Sequence, residues 1–168
     1  MTARPDAIRS LRHRKNLQDH TATDRDALVM ASIRTEFIVE ADAERVWKTV
    51  GDWANGPADM ARGHVVSSSA DGPVRVVTFA DGRIARERLV TCDDAARRIV
   101  YSVIGDDVRP EHDNAVMEIV ADGEGRCRFV WSRDVLPDEL AQPFLASMRR
   151  QARSSGGHSR IGNRFLFA

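Results

Sequence analysis

Glu87 stands in the stretch DGRIARERLVTCDDAARRIVYSVIG (Asp81 to Gly105), where a β-type alternation places a carboxylate among apolar neighbours. Apolar surroundings penalise the charged form of such a group, raise its pKa and suit it to proton transfer near neutrality. His64 is the second candidate proton carrier. A neutral imidazole accepts a proton and passes it on, as general acid–base catalysis requires. Tyr101 offers a phenol hydrogen bond to a ligand carbonyl, and Trp131 a flat surface for stacking. Asp113 and His112 are adjacent, so a regular strand turns only one of them inward, and the alternation selects Asp113. Each group also has a plainer reading. Glu87 pairs with a nearby arginine or histidine, or holds water; His64 is half exposed; Tyr101 and Trp131 pack against a helix. His64, His112 and Glu87 match no recognised metal spacing, and Cys92 and Cys127 share none with a histidine, so neither metal nor cofactor is expected. The serines at 67–69 and 154–155 lack a nucleophile-elbow context, which argues against acyl-enzyme chemistry.

The elements that must position these groups are set by the pattern. Ile33 to Val39 makes a short β run; Asp42 is then a candidate helix N-cap, and Val46, Trp47 and Val50 form an apolar stripe. Gly51, Gly56 and Pro57 divide this region into a short helix and a second helical turn. From His64 onward the chain reads as strands parted by turns, with Asp81-Gly82 a hairpin signal and further breaks at Asp93-Asp94, Pro110 and Asp122-Gly123. Pro137 opens a helix in which Leu140, Phe144, Leu145 and Met148 share one face. Strand, two short helices, six strands and a long helix predict an α+β domain, its antiparallel sheet covered by the last helix.

Period-two reasoning assigns the faces. Ala85, Glu87 and Leu89 alternate with Arg86 and Arg88, and two arginines are costlier to bury than one glutamate. The inner surface then collects Tyr101, Met117, Phe129 and Trp131 together with Glu87 and Asp113, and Phe79 joins the candidate ligand contacts. Mostly apolar walls with a few placed polar groups are what a small-molecule cavity needs. Trp47 and Trp53 read as core.

Composition sets the frame. The chain has 168 residues, long enough for one domain with a real core, and its 25 basic side chains equal its 25 acidic ones. No net field draws it to nucleic acid or to acidic lipid. Arg4, Arg9, Arg12, Arg14 and Lys15 make only the first stretch basic, and residues 1–31 read as a solvated, poorly ordered extension rather than a nucleic-acid arm. No run reaches the roughly 20 apolar residues of a membrane span and no signal-peptide core is seen, so a reduced cytoplasmic protein, monomer or homodimer, is the expectation. Residues 32–153 form the domain, and 154–168 read as a tail.

The phrases FIVEADAERVWKTVGDW, ADGRIARERLVTCDDAARRIVYSVIG and RFVWSRDVLP resemble the START-like, or Bet v 1-like, superfamily, and more closely its bacterial polyketide cyclase/dehydrase branch. The resemblance spans about residues 33–150 and implies a helix-grip fold, in which a seven-stranded sheet wraps a carboxy-terminal helix and a ligand lies between. The plant abscisic-acid receptors of the same superfamily show a similar ERL…DD segment. By that likeness Glu87 points into the cavity and His64 replaces the receptors' pocket lysine. Their proline-containing gate loop is replaced here by ADGR (Ala80 to Arg83), so a hormone-receptor role is not implied. The iron–sulfur and iron motifs of the related ring-hydroxylating dioxygenases are absent. The final helix stops near Arg153, where relatives continue for further turns.

Two functions fit. One is a polyketide cyclase, aromatase or dehydratase in which Glu87 and His64 move protons and Tyr101 or Asp113 orients a carbonyl. The other is a non-catalytic binder or carrier of a hydrophobic or aromatic small molecule or lipid, lined by the same residues. Fold alone does not choose between them.

Overall fold

The alternating segments pair into one antiparallel sheet, described by a computed structural model over residues 30–154. The basic amino-terminal stretch and the carboxy-terminal tail lie outside those residues, apart from Ser154. The chain runs β1 (Ala31–Val39), α1 (Ala43–Val50), α2 (Gly56–Met60), β2 (Val65–Asp71), β3 (Val74–Phe79), β4 (Ile84–Asp93), β5 (Arg98–Asp106), β6 (His112–Ala121), β7 (Cys127–Leu136), a 3-10 turn (Asp138–Leu140) and α3 (Ala141–Ser154). The seven strands lie in the order β1-β7-β6-β5-β4-β3-β2, so the first strand closes against the last and the rest form a meander. This is the predicted helix-grip order.

Alternation holds through the strands that carry the site. On β4, Glu87 is buried between exposed Arg86 and Arg88; on β6, Asp113 is buried and His112 exposed. The core joins Ile99, Tyr101, Met117, Phe129 and Trp131 of the inner face to Val46, Trp47 and Val50 of α1 and Met148 of α3. Leu140, Phe144 and Leu145 pack against that core partly buried, as the helical spacing predicts.

Local contacts explain the short helices. Gly56 starts α2 where a Cβ would come within 2.6 Å of the Thr49 carbonyl oxygen, so only glycine lets the two helices turn this tightly. Asp42 occupies the N-cap position of α1, yet its carboxylate does not cap the helix. It accepts instead from the Gly125 amide at 3.0 Å, pinning the β6–β7 turn beside α1. Trp47 belongs to the core, and its indole N–H donates to Asp94 at 2.9 Å, tying α1 to the β4–β5 turn. Gly82, at φ +85°, supplies the left-handed residue of the β3–β4 hairpin that the Asp81-Gly82 pair predicts. The last helix runs through Ser154.

Candidate functional site

The space between the inner face and α3 holds a cavity of about 100 Å³. Tyr101, Met117 and Trp131 of the sheet and Phe144 and Met148 of α3 supply much of its wall. Exposed lining residues Arg83, Ile84, Asp107 and Pro143 mark a mouth between the β3–β4 hairpin, the β5–β6 loop and the start of α3. There Asp107 accepts from the Ile84 amide at 2.6 Å and holds the loop to β4.

Strand register brings the polar groups together. Arg75 on β3 is the direct cross-strand partner of Glu87 on β4, and its Nε donates to Glu87 Oε2 at 2.6 Å. Both side chains are buried, at 3% and 9% exposure, so this pair lies in a low-dielectric setting. Arg75 also donates to the Trp53 carbonyl oxygen at 3.3 Å and lies 3.9 Å from the Trp53 ring and 4.7 Å from the Tyr101 ring. Trp53, half-buried against the core, thus also supports the site.

A second pair sits on the far side of Tyr101. Tyr101, Ala115 and Arg133 are opposite one another across β5, β6 and β7, and the small Ala115 leaves the guanidinium room to come within 5.8 Å of the phenol ring. Arg133 Nε lies 3.2 Å from Asp113 Oδ1, an ion-pair contact without hydrogen-bond geometry. The other oxygen of Asp113 accepts from the Val103 amide at 2.6 Å, beyond the last paired residues of the β5–β6 ladder. Burial raises the Asp113 carboxyl above the ordinary aspartate range, against the opposing pull of Arg133 and of the Val103 amide. Burial also drives the Tyr101 phenol far up, with the Glu87 charge adding, so it stays protonated and able to donate.

The predicted site residues divide. Glu87, Tyr101, Met117, Trp131 and Phe79 line the cavity. Asp113 stands behind Arg133 rather than on the wall. Phe129 stacks on Phe37 at 4.9 Å and faces a neighbouring smaller hollow with Trp131. His64 immediately precedes β2, with its ring tilted against Phe79 at 5.5 Å and no part in the lining of the main cavity. Arg75 and Arg133 went unread in the sequence. A signal existed: alternation back from Phe79 and Val77 reaches Arg75, and forward from Phe129 and Trp131 reaches Arg133.

A seven-stranded antiparallel sheet closed around a terminal helix, with a lined space between them, defines a helix-grip protein of the START-like, Bet v 1-like superfamily. The chain belongs to the polyketide cyclase/dehydrase and lipid transport family, whose model matches residues 30–156. Similar solved structures include XoxI of Bacillus cereus, at 22% identity and TM-score 0.64, covering 72% of this chain and 89% of that one. The Zhui aromatase/cyclase from Streptomyces sp. R1128 is 18% identical with TM-score 0.57, covering 75% and 88%. A truncated norcoclaurine synthase of Thalictrum flavum is 19% identical with TM-score 0.58, covering 75% and 91%. Identities this low speak for the fold alone. No curated protein matches the chain. Among the described residues, no helix is long and apolar enough to cross a membrane.

Proposed function

We propose that the protein binds a small, mainly apolar molecule in this cavity, and that Glu87 acts there as a fixed polar wall rather than a proton carrier. The observation that carries the reading is the buried 2.6 Å bond from Arg75 to Glu87. A general base needs a lone pair aimed at its substrate, and one Glu87 oxygen already accepts a short charge-assisted bond. His64, the partner that an acid–base pair would require, packs on Phe79 instead. The remaining wall is mainly apolar and aromatic, which suits retention of a hydrophobic ligand.

One observation favours turnover as a second reading. Tyr101 is a protonated donor with guanidinium groups at 4.7 and 5.8 Å from its ring, a setting that stabilises a developing enolate. The family description supports a cyclase or dehydratase of this kind.

Native mass spectrometry of protein taken directly from lysate, followed by solvent extraction, separates the two. Binding predicts a co-purified small molecule in defined stoichiometry. Protein that emerges empty, yet converts a poly-β-keto thioester with the conversion lost in Glu87→Gln, overturns the reading in favour of the enzyme.

A further inference from the structure

Arg75 and Arg133 both line the cavity, but their hydrogen bonding differs. Arg75 is committed, to Glu87 through Nε and to the Trp53 carbonyl through Nη1. Arg133 is 5% exposed, and its Nε is buried without a hydrogen-bond partner. Among the described residues its polar contact is the 3.2 Å approach to Asp113, and its guanidinium otherwise rests 4.1 Å from the centre of the Phe144 ring. Two residues earlier on the same strand face, the indole N–H of Trp131 is also buried without a partner, and Trp131 lines the same cavity. Residues two apart on a strand project to one side, roughly 6.5–7 Å from each other. Buried donors without acceptors are costly, and a ligand that supplies acceptors recovers that cost.

The other charged groups of the wall are already matched. Glu87 is held by Arg75, Asp107 accepts from the Ile84 amide at the mouth, and Arg83 pairs with Asp81 outside it. Arg133 is ion-paired with Asp113 behind the wall through Nε, so the donor capacity left on β7 is that of its guanidinium NH2 groups and of the Trp131 indole. Size bounds the ligand: an engineered apolar cavity of about 150 Å³ takes one benzene, and this one is about 100 Å³, so a body of one ring fills it and reaches into the mouth.

We propose that the cavity selects a carboxylate carried on an apolar body of about one ring, its oxygens accepting from the Arg133 guanidinium and the Trp131 indole and its ring lying beside Phe144 and Tyr101. This rests on the reading of the cavity as a ligand site and adds the chemical class of the ligand.

The test is an NMR titration of the ¹⁵N-labelled chain with benzoate, its neutral counterpart benzamide, and toluene. The Trp131 indole signal is assigned by Trp131→Phe, and thermal melts confirm that each variant is folded. Benzoate is expected to bind at least tenfold more tightly than benzamide and to move the Trp131 indole signal while that of Trp47 stays in place. Arg133→Met and Arg133→Lys each lose that preference. The comparison of the three probes on the native chain needs no variant, so it stands even if Arg133→Met fails to fold. Toluene or benzamide binding as well as benzoate, or benzoate affinity surviving in Arg133→Lys, overturns the carboxylate assignment and leaves the cavity reading intact. Failure of all three probes to bind overturns both.

Discussion

Arg75 and Glu87 face each other in register across β3 and β4, joined by a 2.6 Å bond between two buried side chains. A charge pair in that position is stable only as a pair, because each partner's desolvation is offset by the other. Glu87→Ala leaves the Arg75 charge buried with its main partner gone. Equilibrium urea denaturation is expected to show a loss of about 3–5 kcal/mol, whereas the double change Arg75→Leu/Glu87→Leu recovers most of it. A single change that costs nothing would mean the pair is open to water.

Met148 is 1% exposed and lines the cavity from α3. Met148→Ala deletes buried atoms and widens the space beneath the helix. The stability cost is expected at about 2–5 kcal/mol. Toluene affinity, measured by calorimetry, should rise severalfold. Unchanged affinity would place the ligand elsewhere.

His64 gives a pH-dependent prediction. Burial lowers its imidazole pKa from 6.5, with the positive field of Arg150 and of Arg83 adding and Asp81 opposing. A group whose folded pKa is depressed contributes stability that is full above the unfolded value of about 6.5 and is lost as pH falls through the folded value. The melting temperature of the native chain should therefore drop on acidification from pH 7 to pH 5, and more steeply than that of His64→Gln. Parallel profiles would contradict this.

Much of the fold was legible because alternation and turn residues recur at every strand, as Asp81-Gly82 and the Ala85, Glu87, Leu89 face illustrate. The inward position of Glu87 followed from the two arginines beside it. The same rule, that arginine is costly to bury, hid Arg75 and Arg133. Their cost is offset by Glu87 across β3–β4 and by Asp113 across β6–β7, and strand register is not visible in one sequence. Asp42 shows the same limit from the other side: its spacing from α1 predicts a cap, but a tertiary partner 83 residues away takes the carboxylate.

The most direct test of the cavity as the binding site uses ¹³C-methyl methionine NMR. Met60, Met117 and Met148 line the cavity from α2, β6 and α3, while Met30 is 44% exposed before β1. Titration with a small apolar ring such as toluene is predicted to move the three cavity signals together, with one saturation curve, and to leave Met30 in place. Cavity methyls that stay fixed at saturating ligand, or a response confined to Met30, would contradict the account.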